Sequence, residues 1–368
     1  MSWSPYKLED VLELKYGKSL PDRKRVFGEF PVYGSGGCVG YHKEAFVKGP
    51  GIIVGRKGSI GTVFYEKNDF FPIDTVYYVE HKEELADLTF LYYLLKYLPL
   101  SSMNSDAAVP GLNRNNAHRY EVLLPQKPIQ QKIASILFAY DDLIENNLRR
   151  IELLEKASME LYKEWFVHLR FPGHQHTKII KGLPDGWEKK KLIDVSNITM
   201  GQSPKSVYYN TDGEGLPFHQ GVSDFGVRFI THSTYCTVKN RIGEAGDILF
   251  SVRAPVGRLN ITLDKIVIGR GLSAVRSKIG HQSFLYYQLK THFYKEDMMG
   301  TGAIFAAITK NDLHSLELPL PDHRLIAEFQ EHSLSIDEQI KNLFLQNHKL
   351  RKGRDLLLPK LMNGNIEV

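Results

Sequence analysis

The sequence is nearly without cysteine: Cys38 and Cys236 are the only two in 368 residues. They form neither a disulfide framework nor a metal-ligand cluster, so a reducing cytoplasm is the expected setting. The chain also lacks any run of about 18 uninterrupted apolar residues, which argues against a membrane span. The opening MSWSPYKLEDV has no apolar core of a secretory signal. The charge excess is small, +5 with a pI near 8.8. That permits a nucleic-acid partner without requiring one, because phosphate binding needs clustered Lys and Arg rather than a net excess.

Catalytic text is equally sparse. No Gly-x-x-x-x-Gly-Lys-Ser/Thr loop is present, so no ATP motor is evident. GSGGCVG at 34–40 lacks the spacing of a dinucleotide loop and reads as a turn. No Asn/Asp-Pro-Pro-aromatic motif suggests an amino-methyltransferase site. His174 and His176 lie in FPGHQHTKIIKGLPDG, which reads as a solvated linker rather than a metal site. Cys38 and Cys236, 198 residues apart and near equivalent places, are expected to be small packing residues. A nucleophile would need a base, and none is marked.

What the chain does have is a copy of itself. Trp3, Leu8, Asp10, Val11, Gly17 and Ser19 recur 184 residues later as Trp187, Leu192, Asp194, Val195, Gly201 and Ser203. FLYYLLK at Phe90 returns as FLYYQLK at Phe284, an offset of 194. Asn115, His118 and Pro125 return as Asn311, His314 and Pro321, an offset of 196. The rising offset means about twelve residues are inserted in the second copy. Gly- and Pro-rich text such as YNTDGEGLPFHQG, where length changes are tolerated, is the expected place.

Each copy opens with a Gly-punctuated, β-branched and aromatic part. GIIVGRKGSIGTVFY, TVYYVE, GDILFSVRAPVGRLNIT and IVIGRGLSAVR read as strands and tight turns; LADLTFLYYLLKYL and SFLYYQLKTHFYKEDM read as helices. The expected fold class is α+β: two similar α/β heads, 1–125 and 187–321, separated by two long helices at 126–170 and 322–368, with a linker at 171–186.

The helical parts carry heptad seams. Ile133, Leu137, Tyr140, Ile144, Asn147, Ile151, Leu154, Ser158, Leu161 and Trp165 alternate in steps of four and three. So do Phe329, Ser333, Ile336, Ile340, Leu343, Asn347, Leu350, Arg354, Leu357 and Leu361. An antiparallel register that pairs Asn147 with Asn347 also pairs Ile133 with Leu361 and Trp165 with Phe329. It lets the two Asn amides satisfy each other. The predicted structure is therefore an antiparallel coiled coil on the order of 50 Å long, with a pseudo-twofold internal repeat. The first head is expected at the Ile133/Leu361 end and the second at the Trp165/Phe329 end. Two positions fit poorly: Ser158 faces Ile336, and Arg354 faces Tyr140, on whose ring it is expected to stack. Pro359 should kink or fray the last turn.

Head–helix–head–helix order, AVPGLNRNNAHRYEVLLP before the first helix, LYKEWFV at its end, LPDGWE opening the second copy and GDILFSVRAPVG within it together resemble the specificity subunits of Type I restriction–modification systems. The likeness covers nearly the whole chain. It departs in that the first head starts almost at residue 1 and is about twelve residues shorter than the second. The resemblance implies a non-catalytic subunit whose heads are target-recognition domains. Each would read one half of a bipartite double-stranded DNA site, with the helices setting the gap. It implies two methyltransferase (M) subunits docked on the helices and restriction/translocase (R) subunits beyond them. S-adenosylmethionine, ATP and Mg would belong to those partners, with no cofactor in this chain.

The basic residues agree with DNA reading, which needs Lys and Arg for phosphates and polar side chains for base edges. Candidates are Arg23, Lys24 and Arg25; Arg56 and Lys57; Arg114; Lys205; Arg253 and Arg258; Arg270; and Lys310. Glycine neighbours let backbone approach a phosphate closely. Arg114 and Lys310 share a repeat position, which suggests a common backbone or scaffold role, leaving sequence reading to the parts that differ; the plainer reading of any one of these cations is a solvated turn or a structural ion pair. The alternative is a duplicated coiled-coil scaffold whose heads bind protein or carbohydrate.

Overall fold

The computed structural model describes residues 3–103, 111–297 and 307–368. Residues 108–110 of the motif before the first long helix, and Met298 at the end of the second aromatic helix, lie outside the described residues. The chain forms two compact units. The first is Met1–Glu145 with Asn347–Val368, and the second is Asn146–Gln346. Each unit therefore takes one head and one half of each long helix.

In the first unit an antiparallel sheet runs in the order Leu12–Tyr16, Val76–His81, Gly51–Gly55, Val63–Glu66. A smaller sheet orders Gly37–His42, Phe30–Gly34 and Phe71–Pro72, the last two parallel. Trp3–Lys7 pairs with Glu121–Pro125, closing the head at the base of the first long helix. The second unit repeats this plan. Ser196–Met200, Leu272–Ser277, Ile248–Ser251 and Leu259–Ile261 form the antiparallel sheet. Leu216–His219 runs parallel to Ile266–Ile268, and Glu188–Lys191 pairs with Glu317–Leu320.

The aromatic segments are helices Leu88–Tyr97 and Gln282–Asp297. The repeated glycines have a steric cause: a Cβ on Gly17 would lie 2.1 Å from the Ile73 carbonyl oxygen, and one on Gly201 2.1 Å from that of Gly269. Only glycine lets these two backbones pass so closely.

The long helices are Lys127–Phe166 and His323–Met362. In the first unit Ile133, Leu137, Leu361 and Met362 are buried in one core with the head, with Leu357 packed at its edge. Ile144 is buried, and Asn347 donates from Nδ2 to its carbonyl at 3.3 Å. Leu350 is half-buried. In the second unit Ile151, Trp165, Phe329, Ile340 and Leu343 share a core, with Leu154 against it and Asn147 buried. The Trp165 and Phe329 rings lie 6.1 Å apart, as the antiparallel register requires.

Three expectations about the helices and their flanks need correction. Pro359 does not fray the last turn. The helix continues to Met362, and Asn363 donates to the Pro359 carbonyl at 3.1 Å. Burial of Leu361 and Met362 offsets the one backbone bond that Pro359 cannot make. Arg354 does not stack on Tyr140. It pairs with Asp141 and with Asp355, because a charge-assisted hydrogen bond outweighs a half-exposed ring contact. The stretch 171–186 is more than a linker: Ile179–Ile180 pairs with Leu183–Pro184, and buried Phe171 packs on Trp187 with ring centroids 5.6 Å apart.

The second head's extra residues have a place and a use. Phe30 pairs with His42 and Leu216 with Cys236 at the same position of the smaller sheets. Those pairs enclose residues 31–41 and 217–235, so eight of the added residues lie in the second loop. It follows that His42, not Cys38, stands where Cys236 does. Cys38 is exposed rather than packed, while Cys236 is buried.

The enlarged loop carries Arg228, whose side chain is 2% exposed. Arg228 donates to Glu155 on the first long helix at 2.6 Å, to Asp337 on the second at 2.6 Å and to the Tyr287 hydroxyl at 2.7 Å. It also lies 4.1 Å over the Tyr286 ring. The repeat matches Asp337 with Asp141 and Tyr287 with Tyr93, and Tyr93 donates to Asp141 at 2.7 Å. There the cation comes from the helix itself, Arg354. Ser158 holds Arg354's repeat position and stands beside Tyr287, so in the second unit the head supplies the arginine that the helix lacks.

Removing one partner of a buried ion cluster strands the others. Arg228→Ala should lower the unfolding free energy by about 3–5 kcal/mol in urea titrations. Lys265→Ala, which breaks an exposed pair with Glu244, should cost less than about 1 kcal/mol. Equal effects would contradict this reading of the cluster.

Candidate nucleic-acid interface

The repeated basic positions sit where a turn and a short helix meet. In the first head Arg56 N–H donates to the Thr75 carbonyl at 2.9 Å, and Leu112 N–H donates to the Arg56 carbonyl at 2.8 Å. Lys57 bridges to Gly111. In the second head Val252 donates to Gly271 at 2.9 Å, Ile308 donates to Val252 at 2.8 Å, and Arg253 bridges to Ala307. Lys57 therefore matches Arg253, and Arg56 matches Val252. Asn113 caps the helix Arg114–His118, and Thr309 caps Lys310–Ser315, which keeps Arg114 and Lys310 equivalent.

The repeated histidine fixes this helix to the sheet. His118 Nε2 accepts from the Leu14 N–H at 3.1 Å, on the strand that ends at Tyr16. Arg114 consequently lies 5.1 Å over the Tyr16 ring. Arg56 lies 5.1 Å over the same ring and 5.9 Å over Tyr77. Tyr16, Arg56, Lys57, Tyr77 and residues 111–115, Arg114 among them, line one cavity of about 320 Å³. Three of the cations picked from sequence thus converge with no acidic side chain among the described lining residues, while Arg114 also borders a neighbouring cavity with Glu9, Glu13 and Glu80.

The other candidates divide. Arg25 is committed to structure: it donates to the Val39 carbonyl at 2.9 Å and pairs with Asp22 at 2.5 Å. Arg23 and Lys24 are exposed on the same turn. That turn and the basic turn both contact the Phe30–His42 hairpin, since Thr62 Oγ1 donates to the Ser35 carbonyl at 2.7 Å. Arg253, Lys310, Lys205 and Arg270 are exposed in the second head. Arg270 and the Lys205 turn adjoin through Ser203, whose Oγ accepts from the Arg270 N–H at 3.1 Å. Arg258 lines a separate cavity of about 570 Å³ with Phe225, Tyr286 and Phe293.

Sequence reasoning missed Tyr16, the ring that gathers two guanidiniums. Its place beside the repeated Gly17 was the available signal. It also missed a polar chain in the enlarged loop. Asp224 meets His219 at 3.0 Å, His219 meets His232 at 2.9 Å, and His232 meets Asp264 at 3.1 Å. Burial lowers the His219 pKa to about 4. No group of three or more His, Cys, Asp or Glu among the described residues is arranged to hold a metal. No described helix is long and apolar enough to cross a membrane.

Comparison with known proteins identifies the architecture. The family described as the Type I restriction modification DNA specificity domain matches residues 1–156 and 184–344, both copies in turn. The chain belongs to this family. Among its relatives, the putative Type I restriction enzyme MjaX specificity subunit of Methanocaldococcus jannaschii is 32% identical, over 82% of this chain and 70% of that protein. The HindI specificity subunit of Haemophilus influenzae is 23% identical, over 89% of this chain and 88% of that protein. A solved specificity-family fold, the S subunit of a Type I restriction–modification system from M. genitalium, superposes with a TM-score of 0.63 at 18% identity. It covers 98% of this chain and 96% of that one.

Burial, then the neighbouring Arg114, lowers the His118 pKa. The folded state therefore favours neutral His118. The stabilisation is present above the unfolded value of about 6.5 and is lost as pH falls through it. Thermal melts between pH 8 and pH 5 should show His118→Asn with a shallower acid-side decline than the parent chain. A parallel decline would separate His118 from the acid response.

Proposed function

We propose that the chain is the non-catalytic specificity subunit of a Type I restriction–modification complex, each head reading one half of a bipartite double-stranded DNA target. The observation that carries this is the recurrence, inside a family match spanning both copies, of one basic pair on one backbone frame: Lys57 with Arg114, and Arg253 with Lys310. A fold that repeats its cations twice is suited to a ligand that repeats its phosphates. The long helices would set the spacing between half-sites and dock two methyltransferase subunits, with restriction/translocase subunits joining them in the cytoplasm. S-adenosylmethionine, ATP and Mg would act on those partners.

The test is head-by-head charge reversal. Purified chain, with and without a methyltransferase partner, should bind duplex DNA with an affinity that falls steeply as salt rises. Lys57→Glu should weaken contact with one half-site and Arg253→Glu with the other, each by roughly tenfold or more in mobility-shift titrations. Loss of binding to neither half, or DNA methylation by the chain alone with a methyl donor, would overturn the reading.

A further inference from the structure

The two heads differ at the centre of their shared basic frame. In the first head Arg56 adds a third cation to Lys57 and Arg114, over the rings of Tyr16 and Tyr77. The second head has buried Val252 at the Arg56 position. Strand register likewise places Met200 and Ser273 where the first head has Tyr16 and Tyr77.

Arg56 is also incompletely used by the protein. Its Nε is buried without a hydrogen-bond partner among the described residues. Solvent does not reach that atom, so the donors Arg56 offers to a ligand in the cavity are the terminal nitrogens of the guanidinium, and the buried Nε marks how firmly the side chain is packed against the two rings. Arg114 is partly balanced by Glu13 across the adjacent cavity, whereas Arg56 and Lys57 face this one with no carboxylate among its described lining residues, so an entering anion relieves their repulsion. A base edge offers only partial charge, whereas a phosphodiester offers a full one with oxygens for several donors.

The geometry points to a phosphodiester-binding pocket, present in the first head alone in its three-cation form, with Arg56 as its inner donor and Tyr16 as its floor. This deepens the DNA-reading assignment and rests on it. The pocket makes the first head's grip more dependent on the DNA backbone than the second's, and Arg56 carries no base preference.

The test uses the full chain with its methyltransferase partner and duplexes that vary either half-site, titrated over salt. Arg56→Ala should weaken all duplexes roughly tenfold and reduce the slope of log affinity against log salt by about 0.9. The rank order of sequences should stay unchanged, and Arg56→Lys should restore the slope. Val252→Ala should leave the slope unchanged. Loss of discrimination at one base pair, unrescued by Lys, would make Arg56 a base reader and overturn the proposal; so would an unaltered slope.

Inorganic phosphate, exchanged for chloride at constant ionic strength, separates the two levels of the argument. It should raise the melting temperature of the parent chain more than that of Arg56→Ala. That difference without any DNA binding would sink the DNA-reading assignment and keep the pocket; DNA binding without it would sink the pocket.

Discussion

Each half of each long helix is buried against a different body. The first helix gives Ile133 and Leu137 to one core and Ile151 and Trp165 to the other; the second gives Phe329 and Ile340 to one and Leu361 to the other. Neither head can close its core without halves of both helices. A heptad stripe that serves two cores tolerates few substitutions, since each apolar side chain removed costs on the order of 2–5 kcal/mol. The strands, the basic turns and the cation pocket are built on that shared burial.

The ionic contacts show one problem solved twice. Equivalent aspartates, Asp141 and Asp337, lie among equivalent tyrosine pairs and each needs a cation. Burial pushes the Asp337 carboxyl above its ordinary range, opposed by the adjacent guanidinium. In one unit the cation is Arg354, from the helix. In the other it is Arg228, from a loop longer by eight residues. The insertion therefore does more than decorate a surface: it fixes a head to its helices.

Much of this was legible in the sequence, for physical reasons. Heptad periodicity survives because both cores demand it, and the repeated glycines survive because backbones meet there. The family resemblance rests on the head–helix–head–helix order and on motifs such as LPDGWE and GDILFSVRAPVG. Other features were not legible. Cys38 and Cys236 matched in number but not in place, because an insertion between paired strands shifts equivalence by register rather than by offset. Arg354's partner depended on Asp141, one residue off the seam. The cavity under Arg56 gathers residues 16, 56, 77 and 114, which no local pattern links.

The most direct test of the shared-stem account is disulfide formation between paired cysteines under mild oxidation of the full chain, after Cys38→Ser removes the exposed native thiol. Ile133→Cys with Leu361→Cys, both buried in the first core and paired by the antiparallel register, should cross-link efficiently, while Ile133→Cys with Leu350→Cys should not. Equal yields, or cross-linking only in the second pair, would contradict antiparallel pairing in this register and the two cores that depend on it.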